Sequence, residues 1–268
     1  MSRKFRFTVP ALIALILLGS VLYRTAPVQD AFMRTGVAAM LSSTPETFDG
    51  LQVVVCGSAS PLGNNPDRAQ ACLAVVTPDH LFLVDVGARS PLRIAQAQLP
   101  MNRLTAVMLT HFHSDHIAAL ADVNLASWVA GRRASMLVYG PEGVETVVAG
   151  FNQAYRLDRG YRTAHHGEAL LPPSAGPMKA MTFQPGLVWQ DSDMTVTSFL
   201  VDHPPIDPAV GYRFDYRGRS VVISGDTNAS DNLFAAAADA DIVFHDALAR
   251  DSLDIMQNSM ANAGRSSI

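Results

Sequence analysis

The densest group of potential metal ligands in this chain is the segment Thr110–His116, of sequence THFHSDH. Three imidazoles and one carboxylate at this spacing indicate a metal site, whereas the plain alternative is a polar loop that happens to be rich in histidine. Neutral imidazole nitrogen together with carboxylate oxygen is the ligand set that Zn²⁺ prefers, and iron or manganese also accepts it. The segment therefore predicts metal-dependent chemistry.

A buried strand is expected to present this segment. The apolar run Leu104–Leu109 comes directly before it and reads as a strand that ends at the site. His111 and His113, two residues apart in extended chain, project to the same side and can bind one ion. Asp115 and His116 lie where the chain turns into a helix, so they point elsewhere and can bind a second ion.

Three later strands end in residues that can complete the site. One ends at His203 before two prolines, another runs into a glycine turn and Asp226, and the third ends at His245 and Asp246. The two oxygens of Asp226 can bridge two ions. Taken singly, these positions also fit a surface histidine, a helix N-cap and a capped loop. Asp85, at an earlier strand end, fits an outer position, since ligating histidines donate their other N–H to a carboxylate.

The order of the predicted elements indicates the fold class. Consecutive hairpins come first and helices follow, which is typical of sheets that pack together under a cover of helices, a layered α/β domain. The predicted strands are 51–56, 72–76, 81–85, 104–109, 136–139, 194–201, 210–216, 220–224 and 241–245, and the predicted helices are 91–98, 123–130, 143–155, 233–238 and 253–263.

The N-terminus reads as a separate segment. Three basic residues precede an uncharged apolar stretch, residues 7–23, which favours an uncleaved membrane anchor over a removed signal peptide and over a buried helix. We therefore expect residues 1–24 to be a signal-anchor or signal peptide, 25–50 a linker and 51–268 the catalytic domain. Basic residues stay on the cytoplasmic side, so the domain is expected on the exported, periplasmic or extracytoplasmic side of the membrane.

Composition bears on the substrate. Charged residues make up 16% of the 268 residues and the net charge is -4. A protein that binds nucleic acid usually carries a strongly basic surface, so this balance disfavours a long nucleic-acid substrate and favours a small one.

The chain has two cysteines, Cys56 and Cys72, each on a predicted strand. Their separation from the histidines argues against a role as metal ligands. The sequence favours two small buried thiols, and a disulfide is the alternative if the two strands are neighbours in an oxidising compartment.

The residues named above resemble the metallo-β-lactamase superfamily of binuclear metal hydrolases. The resemblance is carried by the ligand segment, by Asp85-Val86-Gly87 before it, and by His203 and Asp226 after it. Within the superfamily, the segments that look like the ribonuclease Z and arylsulfatase-like branch are 139–143 (YGPEG), 211–213 (GYR), 224–227 (SGDT) and 245–246 (HD). The similarity spans about Leu51 to Ala263.

The resemblance implies an αββα sandwich with the site at one edge of the sheets, preceded here by the apolar N-terminal helix. It implies that one metal is bound by His111, His113 and His203, the other by Asp115 and His116, and that Asp226 bridges them. By the same comparison Asp115 orients or deprotonates the attacking water, and the family places a catalytic histidine and the last ligand of the second metal beyond the equivalent of His245. His245 itself is a second catalytic candidate from its position at a strand end, with Asp246 beside it.

Two departures from the family pattern carry further expectations. Ribonuclease Z has a long arm that grips tRNA, whereas residues 214–219 read as a tight turn. No histidine follows His245, so the closing C-terminal strand and helix are expected to be missing, as in a truncated copy.

The expected function is hydrolysis of phosphodiester or related ester bonds by a metal-activated water, with two Zn²⁺ ions. The alternatives are an arylsulfatase or lactonase, a tRNA 3′-processing endoribonuclease, and an inactive metal-binding fragment. The expected partners are a small ester or phosphodiester, the membrane through the N-terminal helix, and a second copy in a homodimer.

Overall fold

The computed structural model describes residue 25, residues 48–61, residue 65 and residues 67–247. Within these residues the first sheet has six strands in the order β1 to β6. The neighbours are antiparallel from β1 to β3 and parallel from β3 to β6. The strands are β1 Gln52–Gly57, β2 Cys72–Val76, β3 Leu81–Val84, β4 Leu104–Met108, β5 Met136–Gly140 and β6 Met178–Thr182.

The second sheet has five strands in the described part of the chain, in the order β11-β10-β9-β8-β7. Its strands are β7 Gly186–Gln190, β8 Met194–Leu200, β9 Val210–Tyr216, β10 Arg219–Ile223 and β11 Ile242–Phe244. Only the β10–β11 pair is parallel in this sheet. The turn from β9 to β10 consists of Arg217 and Gly218, both at positive φ, as a tight hairpin requires.

Six α-helices accompany the sheets within the described residues. They are α1 Ser90–Gln96, α2 Ser114–Ile117, α3 Leu120–Val129, α4 Val144–Ala154, α5 Arg156–His166 and α6 Asp231–Ala237, with short 3₁₀ helices at Met101–Arg103 and Pro173–Ala175.

Side chains that alternate along the strands build two cores, one on each face of the first sheet. On β3, Leu81 and Leu83 pack under the helices, whereas Phe82 and Val84 pack against the second sheet. The helical core takes its apolar side chains from α1, α3 and α4, and helix α6 lies against β8 and β9 of the second sheet. Burying one such apolar side chain contributes about 1.5–3 kcal/mol. The expected layered α/β fold with two sheets is confirmed.

Strand direction brings the predicted site residues to one edge of the sandwich. Strands β3 and β4 are parallel, and in the second sheet β8, β10 and β11 share one direction because β8 and β10 both run antiparallel to β9. The two sheets meet at this edge, where the backbone N–H of Val210 donates to the carbonyl of Thr110 over 3.0 Å.

The prediction of two free buried thiols is wrong. Cys56 and Cys72 form a disulfide with a Cα–Cα distance of 4.9 Å. Strands β1 and β2 are antiparallel neighbours, and an irregularity between Val55 and Gly57 puts Cys56 beside the residue opposite Gly57, which is Cys72. The pairing depends on this register, which residue types alone do not reveal.

Three elements were not predicted, namely β6, β7 and α5. Helix α5 has no buried residue and consists mostly of polar residues, so few apolar residues mark it as a helix that packs on a core. Strand β7 lies at a sheet edge with exposed side chains and shows no clear alternation. The predicted anchor at 7–23 and the predicted helix at 253–263 lie outside the described residues. Among the described residues, no helix combines the length and apolarity that a membrane crossing needs.

Candidate metal centre

Asp85 occupies a strained position directly after β3. Its φ of 58° is in the left-handed region, which few residues other than glycine adopt. The following loop is held against the ligand segment, because Val86 N–H donates to the His116 carbonyl. Gly87 permits this approach, since a Cβ there would lie 2.0 Å from the backbone oxygen of Asp115. The strained backbone at Asp85 therefore directs its carboxylate toward His116.

The first group of potential ligands joins two histidines from the segment after β4 with His203, which follows β8. The ligand nitrogens of His111, His113 and His203 all lie within 4.8 Å of one another. His111 Nε2 is 2.9 Å from His113 Nδ1. The Nε2 atom of His203 is buried without a hydrogen-bond partner. A buried nitrogen without a partner costs free energy unless something binds it, so this atom fits a bound ion.

The second group comprises His111, His116 and Asp226, again with all ligand atoms within 4.8 Å. His116 lies in α2. Asp226 comes shortly after β10 and directly follows Gly225, whose φ is 64°. The Nε2 atom of His116 lies 3.4 Å from Asp226 and 3.6 Å from Asp115. His111 belongs to both groups, so the two groups have one potential ligand in common.

The electrostatics of the cluster favour a positive charge at His116. Burial, followed by the charge of His116, lowers the pKa of His111 to about 3. Burial also lowers the pKa of His116, but Asp85 and Asp226 outweigh it and raise that pKa to about 10. Burial raises the pKa of Asp226, and its hydrogen bond to His116 reverses the effect and lowers it. A cation is thus stabilised here, and a metal ion would replace the proton on His116.

A groove of about 500 Å³ opens on the second group. Asp115, His116, Asp226, His245 and Asp246 are among the residues that line it. His245 Nδ1 lies 3.0 Å from the carboxylate of Asp246. Burial, followed by the charge of Asp226, raises the pKa of Asp246. The structure thus brings all predicted site residues to one edge of the sandwich.

Two residues around the cluster were not singled out from the sequence. Thr110 is buried and hydrogen-bonded to Asp85, and the Tyr212 hydroxyl donates to the Leu109 carbonyl over 2.6 Å, which ties the end of β4 to the second sheet. For Thr110 the signal in the sequence was a hydroxyl residue directly before a candidate ligand. Residue type alone does not show whether such a threonine orients the histidine or only fills space.

Comparison with known proteins gives a family. A family profile described as "Beta-lactamase superfamily domain" matches residues 79–266, well over half of the chain. Proteins named Ribonuclease Z are similar in sequence. That of Mycobacterium bovis (strain BCG / Pasteur 1173P2) is 37% identical over 204 residues, which cover 75% of this chain and 71% of the relative. That of Mycobacterium sp. (strain KMS) is 35% identical over 209 residues, covering 76% and 71%.

Solved structures agree on the fold. Human tRNase Z, short form, superposes with a TM-score of 0.58 at 19% identity, covering 77% of this chain and 82% of that one. The metallo-beta-lactamase fold protein YhfI from Bacillus subtilis gives a TM-score of 0.57 at 20% identity, covering 73% and 71%.

These relatives correct two predictions. The expected small ester or phosphodiester partner, with long nucleic acid disfavoured, is wrong, because the relatives are named for ribonuclease activity. The expected exported and membrane-anchored location is contradicted by the same relatives, whose named activity is on RNA. Overall charge misled the prediction of the substrate, since it averages over a surface and says little about one groove. The prediction of location rested on the apolar stretch at residues 7–23, which lies outside the described residues. The profile match and these relatives together place the chain in the beta-lactamase superfamily as a metal-dependent hydrolase.

Proposed function

We propose that this protein hydrolyses RNA phosphodiester bonds with two metal ions, in the manner of ribonuclease Z. The observation that carries the proposal is the presence of two three-ligand groups, sharing His111, beside a groove that His116 and Asp226 line. The sequence relatives named Ribonuclease Z support RNA as the substrate class.

The donor set supports zinc. We assign the first ion to His111, His113 and His203 and the second to Asp115 and His116, with Asp226 shared between them. Four imidazoles and two carboxylates make a nitrogen and oxygen set that suits Zn²⁺, and iron and manganese also accept it. The unpartnered Nε2 of His203 supports the first assignment directly.

The metals supply one part of the chemistry: a pair of divalent ions lowers the pKa of water toward about 7 and neutralises charge on the phosphoryl oxygens. The protein's own residues supply the rest. Asp115, which lines the groove, accepts the proton of the attacking water. His245, which lines the same groove beside Asp246, delivers a proton to the departing oxygen.

RNA is expected to enter along the groove. Arg68 lines it on the side of β1 and β2 and offers a cation to the phosphate backbone. The turn between β9 and β10 has only two residues, so it carries no long arm. A tRNA precursor and a short oligoribonucleotide are therefore both to be tested as substrates.

The test is cleavage of these two RNAs by zinc-loaded protein. Replacing Asp226→Ala is expected to abolish turnover and to remove bound metal, because it deletes the shared ligand. Asp158→Ala, in the surface ion pair with Arg162, is a matched change that should leave both unchanged.

The proposal fails if wild-type protein loaded with zinc or manganese cleaves neither RNA. Metal bound at about one ion per chain without turnover would instead support the alternative of an inactive metal-binding protein.

A further inference from the structure

A chain of buried hydrogen bonds links two of the candidate ligands through a threonine. The Thr110 hydroxyl donates to Asp85 Oδ2 over 2.8 Å, and its oxygen lies 3.0 Å from His111 Nδ1. The backbone N–H of Thr110 also donates to Asp85 Oδ1, over 2.9 Å. Thr110, Asp85 and His111 are all buried, so water does not compete for these hydrogen bonds.

The direction of these bonds determines where the proton of His111 lies. A hydroxyl carries one proton, and a carboxylate only accepts, so the Thr110 proton is committed to Asp85. The Thr110 oxygen is then left to accept a hydrogen bond, and His111 Nδ1 must donate it. His111 is thereby held with its proton on Nδ1 and its lone pair on Nε2, the nitrogen that lies beside His113.

Asp85 acts on His116 in the same way, but directly. His116 Nδ1 donates to Asp85 Oδ2 over 2.8 Å, which leaves Nε2 facing Asp226. One carboxylate thus orients two candidate ligands, and the hydroxyl extends its reach to the second. Since His111 is assigned to the first ion, the hydroxyl bears on that ion, whereas Asp85 acts on the second ion directly through His116.

The second sheet holds Thr110 in this orientation. A Cβ at Gly225 would lie 2.9 Å from both Cβ and Cγ2 of Thr110, so the glycine makes room for the threonine methyl. The Thr110 carbonyl accepts from the Val210 N–H. The side chain is therefore packed on one side and hydrogen-bonded on the other.

We propose that Thr110 is a positioning residue that selects the Nδ1–H form of His111 and so prepares the first metal site. The proposal rests on the metal-dependent function proposed above. The competing explanation is that Thr110 only fills space between the sheets.

Two variants separate these explanations. Thr110→Val keeps the shape and removes the hydroxyl, whereas Thr110→Ser keeps the hydroxyl and removes the methyl group. Loss of a hydrogen-bonding partner behind a ligand typically lowers metal affinity by about 10–100-fold. We expect that loss of Zn²⁺ affinity for the valine variant in titrations of metal-free protein, and affinity near wild type for the serine variant.

The proton position is measured independently of metal. Long-range ¹H–¹⁵N spectra of metal-free wild type and Thr110→Ser should show His111 protonated at Nδ1, and Thr110→Val should lose that preference. A folded valine variant with wild-type affinity and an unchanged His111 spectrum would overturn the proposal. If the valine variant does not fold, wild-type protein with His111 protonated at Nε2 overturns it equally.

Failure of this inference is distinguishable from failure of the proposed function. Wild-type protein that binds zinc and cleaves RNA, with a valine variant that matches it, refutes only the role of Thr110. Wild-type protein that cleaves no RNA refutes the function, while the spectra of metal-free protein still decide the proton on His111.

Discussion

Two histidine–carboxylate pairs of nearly equal length lie at opposite ends of the sandwich. At the edge that carries the site, His116 Nδ1 is 2.8 Å from Asp85 Oδ2. At the far end, where the β2–β3 and β7–β8 turns meet, His80 Nε2 is 2.7 Å from Asp191 Oδ2. Both carboxylates also accept backbone N–H groups. The two local arrangements are therefore chemically alike.

Their surroundings differ. The side chains of His116 and Asp85 are 2% and 5% exposed, whereas those of His80 and Asp191 are 18% and 33% exposed. Water competes for the far pair, and such pairs contribute at most about 1 kcal/mol. The buried pair touches other ionisable groups and sits on a strained backbone. The length of a histidine–carboxylate bond thus says little about its role. The burial of the pair and the ionisable groups around it are better indicators of that role.

The largest expected effect comes from the disulfide Cys56–Cys72, which lies near the site. The far end, with His80 and Asp191, has no such cross-link among the described residues. Replacing Cys56→Ala together with Cys72→Ala should lower the free energy of unfolding by about 3 kcal/mol, because a cross-link over a separation of 16 residues restricts the unfolded chain. Chemical denaturation measures this. Reductant should weaken wild-type protein and leave the double variant unchanged. A variant as stable as wild type would show that the link contributes nothing.

The next effect tests the two pairs against each other. Asp85→Asn replaces the acceptor behind two candidate ligands and should lower Zn²⁺ affinity by about 10–100-fold. Asp191→Asn is the matched change at the far end and should leave affinity unchanged. Calorimetric titration of both proteins measures the difference. Equal affinities would mean that burial does not distinguish the two pairs.

The smallest effect concerns stability at the far end. Hydrogen bonds from the backbone N–H groups of Asp193 and Met194, followed by His80, outweigh burial and hold the pKa of Asp191 below its ordinary value. A carboxylate whose pKa is lower in the folded than in the unfolded protein stabilises the fold above the unfolded pKa of about 3.9. This stabilisation is lost as the pH falls through the folded pKa.

Asp191→Asn should therefore lower the free energy of unfolding at neutral pH by less than about 1 kcal/mol. The difference from wild type should shrink as the pH falls below about 4 and vanish below the folded pKa of Asp191. Urea denaturation across this pH range measures it. A difference that grows as the pH falls would contradict the assigned role of the carboxylate.

The site was more predictable from the sequence than the framework around it. Each candidate ligand follows a short apolar run, and that signal is local. The meeting of His203 and Asp226 with the segment 110–116 came from family resemblance, because strand order is non-local. The disulfide depends on register in the same way, and both α5 and β7 lack a buried face that would mark them.

The chemistry around the ligands was harder to predict. A threonine before a histidine is compatible with packing, capping or orientation, and only the distances to Asp85 and His111 separate these roles. The substrate class was misjudged from net charge, which the relatives named Ribonuclease Z corrected.

The tight turn at Arg217 and Gly218 has a practical consequence. It lies at the end of β9 away from the site, and Arg217 pairs there with Asp193 in an exposed contact. Exposed turn tips accept added residues more readily than any other part of a fold. A fluorescent or RNA-binding module inserted between these two residues would emerge from the opposite face of the enzyme. The turn is therefore a natural attachment point for engineering the protein without disturbing its catalytic edge.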